Sequence, residues 1–311
     1  MRIRTYQPGD EAAQAAIYND AAAGLPKFKP ATEHEVRRRC QAADFDPQTR
    51  FFAEVNDRPV GYAAFHANGR VSYPWCRPGH HDLAEPLFQA VIEAMAKRGH
   101  RLALAAYRKD WAAPGEFLLR HGFRQAREMV NFIVDPLDLP TSPDIRRTSL
   151  TPVGREDLPS LMGMVERPRI SEEELEKAWL GNTYFGADAL FALRRQGDDG
   201  PVAVGILVTN PEYADARLLD ADMPCFRLGA FGTEGMQTKR INGLFSFMTS
   251  GPEDANRLAL DLAGHAVSVM EAQASAEALA AQAPSDAPRL LQFYERYFQR
   301  QGSFPVFERA L

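Results

Sequence analysis

The sequence has few cysteines and no strong excess of one charge. Its three cysteines, Cys40, Cys76 and Cys225, are widely spaced and odd in number, which argues against a disulfide framework and favours a reducing, cytoplasmic location. Lysine and arginine number 36 against 41 aspartate and glutamate residues, giving a formal net charge of -5. Because no broad basic field exists, we expect no nucleic-acid partner.

Long hydrophobic runs are also missing. The opening residues "MRIRTYQPGDEAAQ" contain no apolar core of the kind that signal peptides carry. No apolar stretch approaches the length that a membrane-spanning helix needs. We therefore expect a chain that neither crosses nor binds a membrane.

What the sequence does contain is the composition of an ordinary globular protein. It is 45% hydrophobic and 25% charged over 311 residues, a length that suits two domains. The segment "DPLDLPTSPDI" at 135–145 holds three prolines and little periodic pattern, and proline favours extended or turn conformations. The sequence predicts domains at 1–136 and 145–311, joined by a linker at 137–144.

The two halves repeat one order of elements, namely strand, two helices, hairpin, strand–loop–helix, strand, helix and strand. "FFAEV…RPVGYAAF" in the first half is echoed by "LFALR…GPVAVGILV" in the second, which carries an insertion near 210–224. This repetition predicts an α/β fold of two tandem domains, each a mixed, mostly antiparallel sheet flanked by helices. The alternative is one mixed α/β domain whose hairpins resemble each other by chance.

The stretch from Val71 to Gly99 reads as a short strand, a loop and an amphipathic helix. Leucine, valine and methionine recur every fourth residue from Leu83 to Met95, which predicts one helix face packed on a sheet. Pro86 is tolerated only in a first helical turn, and Gly99 is typical of a helix C-terminus. The loop before this helix runs from Cys76 to Asp82 and is rich in residues capable of chemistry.

This loop is suited to binding a phosphate. A helix N-terminus offers unpaired N–H groups and a partial positive charge. Arg77 adds a forked donor, and Gly79 permits close approach of the backbone. Three alternatives remain open: a zinc site using Cys76 and the two histidines, a nucleophilic Cys76, and a solvated turn without a ligand.

The loop also carries a family resemblance. Pro74-Trp75-Cys76-Arg77 matches the first part of the Pro-x-x-Arg-x-x-Gly-x-Gly motif, and "FLLRHGF" ends in the Gly-Phe that closes a family helix. With the order of elements in both halves, the chain resembles tandem members of the GNAT-type acyl-CoA N-acyltransferase superfamily.

The resemblance implies an acyl-CoA co-substrate, with acetyl-CoA the expected donor, no metal, and a small-molecule amine as acceptor. It implies that the phosphates and the thioester lie along the fourth strand and its loop. Because Pro74 has no N–H, Trp75 or Cys76 would have to supply the backbone donor that faces the thioester oxygen. The donor-binding residues implied are Trp75, Cys76, Arg77, Gly79, His80, His81 and Asp82.

In this family a helical tyrosine often protonates the departing thiolate. The first half has Leu118 at the corresponding place, whereas "FYERYFQRQGSF" in the second half offers Tyr294, with Tyr297 nearer the usual spacing. The resemblance therefore implies Tyr294 as the catalytic acid, against the alternative that both tyrosines only pack. Glu116 and His121 are possible bases.

The sequence thus divides the family's site residues between the two halves. The first half keeps the arginine and glycine of the loop, whereas the second keeps the tyrosine. Glu253 and Asp254 at the second loop would repel a pyrophosphate, which favours the first half for CoA. The alternative function is a non-catalytic tandem module that binds a CoA ester or a protein partner.

Overall fold

A computed structural model gives the fold of this chain. It describes residues 1–311 except for positions 27, 29, 42–44, 68, 141–147, 165–170, 182–185, 196, 199, 210–242, 252–253 and 273–277. None of the helices in the described part of the chain is both long and apolar enough to cross a lipid bilayer.

The chain divides into two compact units. The first unit comprises Met1–Glu128 together with Phe304–Leu311, and the second comprises Met129–Ser303. The boundaries read from the sequence, with a linker at 137–144, stay a prediction. The predicted insertion near 210–224 lies outside the described residues.

The first unit begins with the predicted order of elements. Its strands and helices are β1 (Arg2–Thr5), α1 (Asp10–Ala22), α2 (Glu33–Cys40), β2 (Arg50–Val55), β3 (Arg58–Ala64), β4 (Trp75–Cys76), α3 (Ala84–Lys97), β5 (Leu102–Ala106) and α4 (Ala112–Arg120). The first four strands form an antiparallel sheet in the order β1-β2-β3-β4.

Local sequence signals explain several of these boundaries. The Thr32 hydroxyl accepts the N–H of Glu35 while the Glu35 carboxylate accepts the N–H of Thr32, which is the predicted capping box at the start of α2. Asn56 and Asp57 both have positive φ, 51° and 58°, as a tight hairpin turn between β2 and β3 requires. Gly99 has φ 82° just beyond α3.

The last strand of the chain completes the first unit. Strand β12 (Gln299–Ala310) pairs antiparallel with β5, from Val306 opposite Ala106 to Ala310 opposite Leu102. The N–H of Leu311 adds one more bond to the carbonyl of Arg101. The end of the sequence thus belongs structurally to the unit that contains its beginning.

The second unit contains one mixed sheet with helices. Its elements are β6 (Arg124–Val134), of which Met129–Val134 belongs here, β7 (Thr148–Pro152), α5 (Leu158–Met164), α6 (Glu172–Trp179), β8 (Leu190–Arg195), β9 (Ala203–Val208), β10 (Gly243–Thr249), α7 (Ala255–Ala272), β11 (Leu279–Pro284) and α8 (Pro288–Tyr297).

The order of pairing in this sheet is β6-β11-β10-β9-β8-β7. The β10–β11 pair is parallel and the other pairs are antiparallel. One core cluster packs α7 and α8 against strand side chains such as Phe245 and Phe247, and another packs α5 and α6 through Leu161 and Leu175. The predicted fold class, two mixed and mostly antiparallel α/β domains, is confirmed.

Candidate active site

The segment that leads into the fourth strand of the first unit, between Val71 and Trp75, contains a β-bulge. Phe65 bridges to Val71, and further along Tyr62 pairs with Trp75, so three residues on the β4 side face two on β3. The hydroxyl of Ser72 accepts the N–H of Ala64, so this backbone donor keeps a hydrogen bond although the strand pairing is interrupted. Such bulges bend a strand and redirect its backbone groups, and they are common beside active sites.

Beside the bulge, the β4 segment separates from β5. The N–H of Val71 donates to the carbonyl of Leu104, and the N–H of Leu104 donates to the carbonyl of Gly69, both at 2.8 Å. Beyond this point the two described segments share no backbone ladder. The result is a gap that opens toward the loop after β4.

The side chain of Tyr107 reaches into this gap. Because alternate residues of a strand point their N–H groups to the same side, the N–H of Tyr73 faces β5 as that of Val71 does. It donates to the Tyr107 hydroxyl at 2.5 Å. The phenol oxygen of Tyr107 thus accepts the hydrogen bond that a backbone carbonyl of a neighbouring strand would otherwise accept.

An aromatic cluster packs beside the gap. Trp75 is buried, and its ring contacts those of Tyr18, Tyr73, Tyr107 and Trp111 at centroid distances of 4.9 to 6.2 Å. The Trp75 side chain is therefore a core residue, and any part it plays in binding a ligand would have to come from its backbone.

The loop after β4 contains backbone N–H groups that donate to no acceptor among the described residues. The N–H of Arg77 donates to Val60, and the N–H of His80 donates to Arg77, which closes a turn. Within the described part of the chain, the N–H groups of Gly79, His81 and Asp82 have no acceptor. Three donors at the entrance to α3 are an arrangement that binds an anion.

Gly79 and Arg77 extend this anion site. Gly79 has φ 85°, and a Cβ built there would meet nothing within 4 Å, so glycine is needed for its backbone conformation and leaves open space. The Arg77 Nε is buried and has no hydrogen-bond partner among the described residues, although it lies 3.4 Å from a carboxylate oxygen of Asp20. One loop thus carries a guanidinium Nε without a hydrogen bond and three N–H groups without an acceptor among the described residues, and guanidinium and N–H donors are groups that bind anions.

Cys76 is unsuited to nucleophilic chemistry. It is buried, and a Cβ on Gly61 would lie 2.9 Å from its sulfur, so a larger residue in β3 would displace it. Burial, with a smaller contribution from Asp82, raises the pKa of the Cys76 thiol to about 12. Since the thiolate is the nucleophile, Cys76 stays protonated at neutral pH.

The remaining loop residues stand at the surface. His81 and Asp82 are exposed and His80 is half-buried. Across the described residues, no group of three histidine, cysteine or acidic side chains is placed to hold a metal ion. The assignment of these residues to donor binding stays a prediction.

His121 ties the start of α3 to the end of α4. Its Nδ1 lies 2.7 Å from the carbonyl oxygen of Phe117, and its Nε2 lies 2.8 Å from the Glu85 carboxylate. Both ring nitrogens are thus engaged by groups of the protein itself. Glu116, the other possible base, is an exposed residue of α4.

In the second unit, the described pairing of β9 with β10 contains no equivalent bulge. Strands β9 and β10 stay in one register from Leu244 opposite Val208 to Thr249 opposite Ala203, and the N–H of Ser250 continues it to the carbonyl of Val202. The parallel β10–β11 ladder does stop at Phe245. A gap therefore opens in this unit too, but its fourth strand is regular.

Tyr294 lies at the closed end of this second gap. Its hydroxyl is 3.5 Å from the carbonyl oxygen of Phe245, and its side chain is 0% exposed. Its ring packs against Phe132, Phe247 and Phe298. Burial raises the pKa of Tyr294 above its ordinary value, so the phenol is protonated at neutral pH. Its role as a catalytic acid stays a prediction.

The second loop is less repulsive toward anions than its sequence indicates. Asp254, with φ 61°, precedes α7, and its carboxylate contacts Arg195 at 2.8 Å and Arg257 at 2.9 Å. Two arginines thus offset this one carboxylate, which weakens the repulsion argument for Asp254. Glu253 lies outside the described residues.

Comparison with known proteins gives matches in fold only. No family model matches the sequence, and no curated protein matches it. The fold is similar to a solved GCN5-related N-acetyltransferase from Sphaerobacter thermophilus, with a TM-score of 0.66, 14% identity, and coverage of 99% of this chain and 95% of that one.

Two further solved structures resemble the chain. A tandem GNAT protein from the clavulanic acid biosynthesis pathway has a TM-score of 0.59 at 13% identity, with 99% of this chain and 98% of that one covered. A GCN5-related N-acetyltransferase from Kribbella flavida has a TM-score of 0.56 at 12% identity, with 100% of this chain and 71% of that one covered. The tandem GNAT-type architecture predicted from the sequence is thereby confirmed as a fold.

One residue of the gap was missed by sequence reasoning. Tyr107 ends the segment "RLALAAY", where its only signal is a polar aromatic directly after a predicted strand. That signal is weak, because aromatic residues at strand ends usually pack in the core. Only the separation of β4 from β5 gives the hydroxyl a functional meaning.

Proposed function

We propose that this protein is an acyl-CoA-dependent N-acyltransferase, with acetyl-CoA as the expected donor and a small amine as acceptor. The observation that carries the proposal is the continuous feature in the first unit: a bulged strand, an open gap beside it, and a loop with three unused N–H groups. Its chemistry matches an extended thioester ending in phosphates.

The donor would bind through distinct groups along this feature. The phosphates would be held by the N–H groups of Gly79, His81 and Asp82 and by the Arg77 guanidinium. The pantetheine chain would lie in the gap as an added strand does. Trp75 and Cys76 would contribute backbone rather than side chain.

The reaction would be direct aminolysis. The amine nitrogen bonds to the thioester carbonyl carbon, the carbon–sulfur bond breaks, and the sulfur leaves with the electron pair. The amine gives up one proton to a base or water, and the thiolate takes up one. Within this scheme Tyr294 would be the acid only if the acyl group were bound in the second unit.

Binding and turnover are tested separately. A ligand that binds only the folded state stabilises it by about 2.7 kcal/mol at a concentration 100 times its Kd, so acetyl-CoA should raise the melting temperature. Release of free CoA thiol across a panel of small amines then tests transfer. If millimolar acetyl-CoA causes no thermal shift, the proposal is wrong.

Arg77→Ala locates the phosphate site. Loss of a hydrogen bond to a charged group, about 1.5–3 kcal/mol, should weaken acetyl-CoA binding by roughly 10- to 100-fold. Arg98→Ala is the matched control, because Arg98 is also partly exposed and ion-paired, with Asp46, but stands at the far end of α3. Equal affinity of both variants would place the phosphates elsewhere.

A second candidate function is a non-catalytic module that binds a CoA ester. The observation favouring it is that Leu118 replaces the family's helical phenol in the first unit, and that Tyr294, the tyrosine predicted as the acid, is fully buried in the second. A thermal shift without thiol release from any amine would support this module.

A further inference from the structure

The bulged strand lacks one donor where the proposed reaction needs it. A thioester under attack develops negative charge on its carbonyl oxygen, and preorganised donors there are among the largest contributions to catalysis. Pro74 lies in the bulged segment directly before β4 and has no N–H. The N–H of Tyr73, which does face the gap, already donates to Tyr107.

The Tyr107 phenol is held firmly at this place. It follows directly after β5 and is buried. Its ring stacks on Trp111 at 6.2 Å and meets Trp75 edge-on at 6.2 Å, while the Trp111 indole is fixed by a bond from its Nε1 to the carbonyl of Pro26. Packing against Trp75 and Trp111 therefore holds the phenol oxygen beside the N–H of Tyr73.

We propose that the Tyr107 hydroxyl is the hydrogen-bond donor to the thioester oxygen in the first unit, in place of the N–H that Pro74 lacks. This inference rests on the proposed acyl transfer. The Tyr73 N–H donates to the phenol oxygen, which polarises the O–H bond, and the phenol proton is then given as a hydrogen bond to the thioester oxygen.

The role requires no net proton transfer by Tyr107. As the amine nitrogen bonds to the carbonyl carbon, the carbonyl electron pair moves onto oxygen, where the phenol stabilises it. When the carbon–sulfur bond breaks, that pair returns to form the amide carbonyl. The phenol ends the cycle as it began, still protonated and still accepting from Tyr73.

Tyr107→Phe tests this role, because it removes one oxygen and keeps the ring that packs on Trp75 and Trp111. We expect kcat to fall by about 10²- to 10³-fold, the loss seen when one such donor is removed, with KM for acetyl-CoA changed by less than about threefold. In the absence of ligand, the Tyr73 amide should exchange its hydrogen faster, since it has lost its acceptor.

Tyr18→Phe is the matched control. Tyr18 is another buried phenol whose ring contacts Trp75, so it reports on any loss of a hydroxyl from the same cluster. We expect its kcat to stay within about threefold of the original. A comparable fall in both variants would assign the effect to packing and overturn the proposal.

The possible outcomes distinguish failure of this inference from failure of the proposed acyl transfer. If the unaltered protein gives neither a thermal shift with acetyl-CoA nor thiol release, the proposed function and this inference both fail. If it transfers acyl groups and Tyr107→Phe does so equally well, only the inference fails. A crystal structure with acetyl-CoA should place the Tyr107 oxygen within hydrogen-bond distance of the thioester oxygen; a phenol turned out of the gap would overturn it.

Discussion

The two units differ most at the strand that precedes the helix N-terminus. In the first unit this strand bulges, and a loop with unused N–H groups follows Cys76. In the second unit it stays in register through Ser250, and the residue before α7 is an aspartate held by two arginines. A repeated order of elements therefore does not preserve the details on which ligand binding depends.

The units also bury their tyrosines differently. Tyr107 lies beside an irregular strand, and its phenol oxygen accepts a hydrogen bond from the backbone N–H of Tyr73 in the gap. Tyr294 lies in a continuous aromatic core and reaches only the closed end of its gap, 3.5 Å from a carbonyl oxygen. We therefore place the proposed chemistry in the first unit, while the role of Tyr294 stays a prediction.

The largest expected effect is on the free energy of unfolding, and it tests whether the C-terminal residues stabilise the unit to which each of them belongs. Phe307 and Phe298 are both 6% exposed and both lie near the C-terminus, yet Phe307 belongs to the first unit and Phe298 to the core of the second. Replacing either by alanine should cost about 3–5 kcal/mol of unfolding free energy.

Hydrogen exchange distinguishes the two variants. Phe307→Ala should lower the protection of β5 amides and leave β11 unchanged, whereas Phe298→Ala should do the reverse. If both variants weaken both strands equally, the two units unfold as one and the division by unit has no energetic meaning.

A smaller effect concerns the buried acids, Cys76 in the first unit and Tyr294 in the second. The ordinary pKa of a cysteine is 9.0, and in the folded protein that of Cys76 is about 12. Above pH 9 the unfolded chain loses this proton while the folded chain keeps it. The unfolding free energy should then fall by about 1.4 kcal/mol per pH unit between pH 9 and 12.

Urea unfolding from pH 8 to 10.5 checks this slope. Cys76→Ala should make the fall that begins near pH 9 less steep, and the fall that remains comes from Cys40, whose pKa is also raised by burial. Tyr294→Phe should flatten the curve only above pH 10, the ordinary pKa of tyrosine, because burial raises the pKa of Tyr294 as well. A Cys76→Ala curve parallel to that of the unaltered protein would contradict the burial of the thiol.

The smallest effect compares Asp20 and Asp254, the two carboxylates that pair with arginines near the two loops. Asp20 lies beside Arg77 in the first unit, and Asp254 binds two arginines in the second. Exposed pairs of this kind contribute about 0–1 kcal/mol, so Asp20→Asn should tighten acetyl-CoA binding up to about fivefold by releasing Arg77. Asp254→Asn should leave the affinity unchanged, and a tightening there instead would move the phosphate site to the second unit.

Local signals accounted for much of the fold. The capping box at Thr32, the turn at Asn56-Asp57 and the helix end at Gly99 each depend on residues within one turn of each other, so each could be read directly. The repeat of elements gave the two-domain α/β architecture. The candidate loop was also visible, because Arg77, Gly79 and a helix start are adjacent in sequence.

Features that depend on strand register could not be read in this way. The bulge in β4 is visible only when Val71 and Trp75 are matched to their partners on β3. The charge compensation of Asp254 likewise needs Arg195, which is 59 positions distant in the sequence. Single-sequence patterns carry no information on which distant residues come together.

The sequence by itself determined many of the elements and their repetition, because these follow from short-range periodicity, capping and turn chemistry, and it predicted the candidate phosphate loop. The tertiary structure alone decided that the last strand completes the first unit, that Tyr294 is fully buried, and that Tyr107 reaches the gap beside β4. The physical reason is that strand pairing and side-chain burial depend on contacts between segments that are distant in the sequence. The contact between the Tyr107 hydroxyl and the backbone N–H of Tyr73 is one of them.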